Sequence, residues 1–417
     1  MRLKSLTFAL ALPALTVSVA SAQDEEAAPA SVEARFEQGV GLVIESSDEL
    51  FGLTIRARGQ VRAELTYPED PEGVAGDLFI DEGRTDVTFM VRRARLVFSG
   101  YVLGRHNRFT MQLALAPRDM DWQPGIGPTF TPLRDYYLDF THLRDLSVRV
   151  GQYKLPFSLE RINSSGDLQL VDRSIVNDEL SLDRDLGVDL RSKDFLGLGL
   201  LRYNAGNAAG EGRDAGFGGD LGFFYFARVE VFPFGLFDND EQADLSRSTV
   251  PRLAVGGAYA FLDEAPALRA ARRPRPADGG TTDSHTATGD VVFKWLGLSV
   301  FGSVIWRDGW RNPGIAVDAM GVPLPITPPR NALGWLAQVG FLLPGVDLEV
   351  AGRVAMIHPI GESAQTSVQE QGELGGGLSY YFLRHSLKLQ LDYMHLWSGG
   401  DLDDAVEQVR LQVQAAL

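Results

Sequence analysis

A run of charged side chains between residues 154 and 184 holds the residues best suited to bind ions. Its basic members are Lys154, Arg161, Arg173 and Arg184, and acidic side chains are interspersed among them: Glu160, Asp167, Asp172, Asp178, Glu179 and Asp183. Ammonium and guanidinium groups bind small anions through charge-assisted hydrogen bonds. The four basic residues are therefore candidates for contact with a small anion, and the acids either hold these residues in place or face the same ion.

The rest of the sequence offers little for catalysis. It contains no cysteine, which excludes a thiol nucleophile and a cysteine-ligated metal. The histidines form neither an HExxH motif nor an i, i+4 pair, and no GxSxG motif occurs. We predict a protein without enzymatic activity, cofactor or bound metal.

The charged run begins as a strand and then becomes irregular. Residues 146–151 alternate apolar and polar side chains, and this pattern stops at the sequence KLPF, residues 154–157. Apolar residues continue through 155–176, which indicates a folded segment and not a disordered one. An irregular segment of this length inside a compact domain is usually functional. Arg149, on the preceding strand, is a further candidate for contact with the same anion.

Period-two alternation recurs along the chain from Phe51 onwards. Between residues 53 and 65, apolar side chains alternate with polar and charged ones, so that one face of the strand is apolar and the other ionic. Sixteen segments have strand character: 51–66, 85–102, 107–116, 134–142, 145–153, 185–191, 195–204, 221–232, 250–262, 285–295, 297–307, 331–343, 345–358, 370–383, 385–396 and 406–416.

The connections between these strands alternate between long and short. Only the connection at 233–249 is longer than its place in the series requires. Alternating connection lengths, an even strand count and about ten residues per strand are typical of outer-membrane barrels. The sequence therefore predicts an all-β fold, a 16-stranded antiparallel transmembrane β-barrel. Residues 154–184 form its third outer loop, which we expect to fold inward and narrow the channel.

The N-terminus has the features of a secretory signal peptide. Arg2 and Lys4 precede an apolar run that ends in the small-residue site Ala-Ser-Ala at 20–22. The predicted organisation is a signal peptide over 1–22, a largely flexible periplasmic lead-in over 23–50 and the barrel over 51–417. Removing the signal peptide changes the formal net charge from −16 to −18, because this segment holds two basic residues and no acid. Such acidity argues against a nucleic-acid partner, and the expected location is the bacterial outer membrane.

Four segments between residues 91 and 192 together resemble the phosphate-selective porin O and P family. They are VRRARLVFSG at 91–100, LRDYYLDF at 133–140, VRVGQYKLPFSLERINSSGDLQLVDRS at 148–174 and DRDLGVDLRS at 183–192. The resemblance implies a sixteen-stranded homotrimeric outer-membrane channel that passes small inorganic anions, phosphate among them. It also implies that cationic side chains within the pore select the anion.

Basic residues on the predicted inward face are candidates to line the lumen: Arg56, Arg58, Arg62, Arg93, Arg95, Arg353, Lys388 and Arg410. Adjacent Arg92 and Arg93 can both point inward only if their strand contains a β-bulge. Acidic side chains are as frequent as basic ones on the inward face. A weakly selective general diffusion porin is therefore an alternative, and a structural, adhesive or enzymatic outer-membrane barrel is a third.

The expected surroundings of the barrel are outer-membrane lipid and lipopolysaccharide. The basic segment RAARRPRP at 269–276 lies in the fifth outer loop and could bind lipopolysaccharide phosphates, or could be an ordinary solvated loop tip.

Overall fold

The computed structural model describes residues 31–68, 85–120, 122–123, 127–128, 131–213, 223–265, 276–361, 365–402 and 405–417. The predicted signal peptide, the first part of the lead-in and residues 269–275 of the basic loop tip lie outside the described residues. Among the helices of the described part, none is long and apolar enough to cross a membrane.

Sixteen strands form a closed antiparallel barrel. They are β1 (Phe51–Pro68), β2 (Asp86–Val102), β3 (Asn107–Ala114), β4 (Leu133–Phe140), β5 (Ser147–Lys154), β6 (Arg184–Ser192), β7 (Leu201–Ala208), β8 (Phe223–Val231), β9 (Arg252–Ala265), β10 (Thr281–Trp295), β11 (Leu298–Asn312), β12 (Ala332–Leu342), β13 (Leu348–Pro359), β14 (Gln371–His385), β15 (Leu387–Ser398) and β16 (Ala405–Ala416). Each strand pairs with its neighbours in sequence, and β16 pairs back onto β1 from Val406↔Pro68 to Ala416↔Arg58. The predicted 16-stranded barrel is confirmed.

Alternation along each strand gives the barrel an apolar outside and a polar inside. In β12 every second residue is buried. Gln338 points inward and is 2% exposed, whereas Trp335 and Val339 point outward and are 36% and 49% exposed. Exposed apolar side chains recur on the outer face of other strands, including Val61 and Leu65 of β1. An apolar outer band around a polar interior is the surface pattern of a barrel that crosses a lipid bilayer.

One predicted strand begins later than the alternation suggested. The prediction placed a strand at 195–204, but β7 starts at Leu201 and a short 3-10 helix occupies Phe195–Gly197. Leu196, Gly197 and Gly199 all have positive φ values, which strand backbone does not adopt. The leucine–glycine alternation in this segment therefore imitates a strand although it forms a turn.

Residues 32–46, within the predicted lead-in, form a β-hairpin, and its second strand overlaps the short strand that the sequence suggested at 39–44. Val32–Glu37 pairs with Gly41–Ser46, and the second of these strands pairs with the start of β1 through residues 52–55. Because β16 ends opposite Arg58, the start of β1 lacks β16 as a partner. The hairpin satisfies backbone groups of β1 that would otherwise form an open sheet edge.

The connection between β5 and β6 folds into the barrel, as predicted. This segment, residues 155–183, is called loop 3 here and contains two short helices, α1 (Leu159–Ile162) and α2 (Ile175–Leu180). Its apolar side chains pack against inward side chains of the wall in one buried cluster, which includes Phe157, Val176 and Leu180 from the loop and Phe226, Ile305 and Leu336 from the wall. This cluster fills part of the lumen and fixes loop 3 across it.

Candidate functional site

The backbone of loop 3 is held by side chains of the barrel wall. Most of the loop is irregular, so its peptide groups need other hydrogen-bond partners inside the barrel. Wall side chains supply these partners at 2.7–2.9 Å. Lys388 and Ser379 donate to the backbone carbonyls of Leu168 and Gln169. The carboxylates of Asp392 and Glu373 accept from the backbone N–H groups of Val171 and Ile175. The position of the loop is therefore specified by wall residues that surround it on several sides.

Asp172 joins loop 3 to an arginine cluster on β1 and β2. Its carboxylate lies 2.6 Å from Arg62, 3.0 Å from Arg93 and 3.8 Å from Arg92. The pairing of β1 and β2 shifts register between Gln60 and Val61, and the extra residue is Arg92, so the β-bulge required for two adjacent inward arginines is present. The sequence identified Arg62 and Arg93 as lumen candidates but did not identify Asp172 as their shared partner.

The arginines keep Asp172 ionised. Burial alone would raise the pKa of this carboxyl group, but the charges of Arg62, Arg92 and Arg93 outweigh burial and hold the pKa well below its usual range. The stabilisation that comes from a lowered carboxyl pKa is present above the unfolded value of about 3.9 and is lost only as the pH falls through the folded value. The ion pairs between Asp172 and the three arginines should therefore persist in mildly acidic solution.

We accordingly expect the difference in single-channel conductance between the wild type and Asp172→Ala to stay constant between pH 7 and pH 5, and to shrink only below about pH 4. Bilayer recordings across this range at fixed ionic strength will measure it. A step in this difference between pH 7 and pH 5 would show that Asp172 does not stay ionised over that range.

Most of the other predicted arginines are paired with carboxylates. Their partners are Asp119 for Arg95, Asp139 for Arg149, Asp183 for Arg161, Asp135 for Arg184, Glu373 for Arg353 and Asp392 for Arg410. Arg95, Arg149, Arg184 and Arg410 each donate two hydrogen bonds to their partner. Such forked contacts fix the side chains in place and neutralise much of their charge.

A cavity of about 670 Å³ lies between loop 3 and the barrel wall, where its lining comes from β1 to β6 and from the ends of β14 and β16. Among its described lining residues, seven are basic and three are acidic. The basic ones are Arg56, Arg58, Arg95, Arg149, Lys154, Arg184 and Arg384, and the acidic ones are Asp135, Asp167 and Asp240. Four of the basic side chains pair with carboxylates: Arg95, Arg149, Arg184 and Arg384. The excess positive charge that can concentrate anions therefore comes from Arg56, Arg58 and Lys154.

Arg58 and Lys154 supply much of that excess. Arg58 donates to the hydroxyl groups of Ser164 at 2.9 Å and Ser165 at 3.0 Å. Lys154 Nζ donates to the carbonyl oxygens of Ile162 at 3.1 Å and Asn163 at 3.2 Å. Among the described residues, neither has a carboxylate within salt-bridge distance, so loop 3 positions both charges without neutralising them.

Gly166 leaves the space that the Arg58 guanidinium occupies. A Cβ atom at Gly166 would collide with Nη1 of Arg58, the far end of a flexible side chain that can move away. We expect Gly166→Ala to displace Arg58 and reduce anion preference. It should lower stability by only about 1 kcal/mol, because the atoms that the new Cβ meets belong to one flexible side chain. Reversal potentials and thermal unfolding will measure the two effects.

The matched control for this variant is Gly59→Ala, because no atom lies within 4 Å of the added Cβ at that position. Gly59→Ala should leave both quantities unchanged. If Gly166→Ala keeps the wild-type reversal potential, the position of Arg58 does not set selectivity.

A second segment enters the lumen from the opposite end and meets loop 3. It belongs to the long connection between β8 and β9, and the N–H of Gln242 donates to the Asp167 carbonyl at 3.3 Å. The side-chain oxygen of Gln242 accepts from the backbone N–H of Gln169 at 3.0 Å and from the side-chain amide of Gln338 at 3.2 Å. The sequence did not predict this contact. The only indication of it was the connection at 233–249, which is longer than the others at that end of the barrel.

The structure separates the predicted site residues into two groups. Arg149, Lys154 and Arg184, together with Arg56, Arg58 and Arg95, line the cavity. The others hold loop 3 or pair within the wall. Arg173 donates to the carbonyls of Glu160 and Asn163 at 2.7 and 2.6 Å, and Arg161 pairs within the loop. Lys388 is fully buried beneath Leu168. The roles of both groups in conduction stay predictions.

A closed sixteen-stranded barrel with an apolar outer band and a charged lumen, narrowed by an inward loop, defines an outer-membrane channel of the porin class. Two solved porin-like structures have the same fold. Salmonella typhi OmpF, in complex with daunomycin, is 11% identical with a TM-score of 0.54, and the match covers 89% of this chain and 99% of that chain. The outer membrane channel DcaP of Acinetobacter baumannii is 12% identical with a TM-score of 0.51 and has the same coverage. At these identities the similarity establishes the fold.

The sequence itself is similar to one porin family over part of the chain. The family model of phosphate-selective porin O and P matches residues 75–274, which contain β2 to β9 and the whole of loop 3. The predicted resemblance to that family is therefore confirmed. No curated protein sequence shows significant similarity to the chain.

Proposed function

We propose that this outer-membrane channel is passive and favours small inorganic anions of the phosphate type. The observation that carries the proposal is the cavity beside loop 3, whose lining includes three basic side chains with no carboxylate within salt-bridge distance among the described residues: Arg56, Arg58 and Lys154. An anion entering this cavity exchanges part of its hydration for guanidinium and ammonium contacts, whereas a cation meets an unfavourable potential. Movement down a concentration gradient needs no covalent step.

Planar-bilayer recordings of the refolded protein test this proposal. In a potassium chloride gradient, the reversal potential should have the sign of an anion-preferring pore. Submillimolar phosphate should reduce the chloride current, because both anions would occupy the same cavity. A cation-selective reversal potential would contradict the proposed anion preference.

A weakly selective general diffusion channel is the second candidate. It is favoured by the carboxylate partners of lumen arginines such as Arg62, Arg353 and Arg410, which leave the lumen close to neutral away from the cavity. The same recordings distinguish the two functions. A reversal potential near zero and a chloride current insensitive to phosphate would favour general diffusion.

We further propose that the barrel is a homotrimer in contact with outer-membrane lipid and lipopolysaccharide. The family match supports a trimer, and the apolar outer band supports lipid contact. Native mass spectrometry in detergent should give three times the mass of one chain, with co-purified lipopolysaccharide. A monomer with no bound lipid would count against both parts of this proposal.

A further inference from the structure

The N-terminal hairpin, residues 32–46, has one apolar face and one charged face. Cross-strand pairs place Phe36 beside Leu42 and Ala34 beside Ile44, all on one face. The opposite face carries Arg35, which pairs with acidic side chains at 2.5 Å and 2.9 Å: Glu37 and Glu45. This division follows from the alternation in the sequences VEARFE and GLVIES.

The apolar face of the hairpin continues the outer face of the barrel. Leu42 lies opposite Ile55 and Ile44 lies opposite Leu53, and these two residues of β1 point outward in the same series as Val61. The apolar strip therefore runs without interruption from the lipid-facing band of the barrel onto the hairpin.

The hairpin side chains on this strip are open to the surroundings of the molecule. Val32 is 63% exposed and Phe36 is 62% exposed. A two-stranded hairpin is only marginally stable in water, and a contiguous exposed apolar surface usually marks an interaction site. A face exposed only to water would not need to be apolar or to continue the lipid-facing band of the barrel.

We propose that the apolar face of the hairpin rests against phospholipid of the inner leaflet of the outer membrane. The hairpin joins β1 at the end of the barrel that carries the short connections, which is the periplasmic end and so the inner leaflet. Continuity with the lipid-facing band favours lipid over any other occupant.

The hairpin lies at the depth of the lipid head groups. Within the described residues, the outer edge of Val32–Glu37 has no partner strand, and unpaired backbone groups are excluded from the hydrocarbon core. The charged face with Arg35 also requires water. Phe36, near the turn and closest to the barrel band, suits the interface, where aromatic rings are enriched.

The absence of cysteine from the chain allows a direct test with single-cysteine variants. Phe36→Cys reports the apolar face and Glu33→Cys reports the opposite face of the same strand. Val61→Cys, 58% exposed on the lipid band, is the reference for lipid contact. Each variant is labelled with a nitroxide and reconstituted into phosphatidylethanolamine–phosphatidylglycerol vesicles. Power saturation then measures its accessibility to oxygen, which partitions into lipid, and to a water-soluble nickel complex.

The ratio of oxygen to nickel accessibility should be several-fold higher at Phe36→Cys than at Glu33→Cys, and closer to that at Val61→Cys. Equal, water-like ratios at both hairpin positions would overturn the proposal, because the hairpin would then extend into the periplasm. An immobile label at Phe36→Cys that neither reagent reaches would also overturn it, because the face would then be covered by protein, such as a second copy of this chain.

Discussion

The triple replacement Arg56→Gln, Arg58→Gln and Lys154→Gln is expected to lower the chloride-to-potassium permeability ratio by about five-fold in 0.1 M salt, because three cavity charges are lost. A unit charge about 8 Å from an ion contributes about 0.5 kcal/mol in a water-like medium. Three such charges sum to about 1.5 kcal/mol, close to ten-fold, before salt screening reduces the effect. The reversal potential in a potassium chloride gradient measures the ratio.

Glutamine is the appropriate replacement at these sites because it removes charge while keeping hydrogen-bond donors. Its amide can still donate toward Ser164 or the Ile162 carbonyl, which Arg58 and Lys154 contact in the wild type. None of the three basic residues has a carboxylate within salt-bridge distance among the described residues, so their replacement leaves no described acid without its partner. The variant therefore separates the electrostatics of the cavity from the folding of loop 3.

The matched control removes charge from the rim of the barrel instead of from the cavity. Arg105 and Arg144 lie on short connections, where their side chains are 56% and 64% exposed. The double variant Arg105→Gln, Arg144→Gln should change the permeability ratio little. If it changes the ratio as much as the triple variant does, surface charge and not the cavity sets selectivity. In 1 M salt, where the screening length is about 3 Å, the effect of the triple variant should shrink.

The sequence was sufficient for the barrel because strand alternation and connection length are local signals. Because side chains alternate between the two faces of a strand, Arg58 and Arg62 lie on the same face of β1, and this placement does not depend on contacts with distant residues. The long irregular segment after Lys154 could likewise be assigned to the lumen, because a sixteen-stranded barrel leaves a wide interior for it to fill.

The partners of those residues could not be predicted in the same way. Asp172 is far from Arg62 and Arg93 in sequence, and only the closed barrel with loop 3 inside it brings the three together. The same holds for Gln242, which reaches loop 3 from the opposite end of the barrel. Long-range pairing decides which arginines are neutralised, and so which ones remain to bind anions.

The pairing of the N-terminal hairpin could not be predicted for a different reason. Residues 32–37 and 41–46 are each only six residues long, which is short for a strand that crosses a membrane. Their alternation becomes meaningful only when the lower part of β1 is seen to lack β16 as a partner.

Asp172→Ala should have the largest effect on the shape of the pore. It removes the carboxylate that Arg62 and Arg93, which are 3% and 4% exposed, share. Arg62 keeps Glu64 at 3.2 Å, but Arg93 then has no carboxylate within salt-bridge distance among the described residues. Removing one partner of a buried ion pair costs about 3–5 kcal/mol. Here the loss destabilises the packing of loop 3 against the wall and leaves the hydrogen bonds between the barrel strands intact. We expect an intact barrel with higher single-channel conductance, more current noise and a lower unfolding temperature.

The same variant should also increase anion preference, because it releases arginine charge that Asp172 now neutralises. It therefore moves the permeability ratio in the opposite direction to the triple glutamine variant, although both act on loop 3 and the wall around it. Asp178→Ala is the control: Asp178 is an exposed acid of the same loop, so its loss changes the formal charge equally without removing the anchor. Unchanged conductance in Asp172→Ala would mean that the wall bonds to the loop backbone, such as Lys388 to Leu168, are enough to seat loop 3.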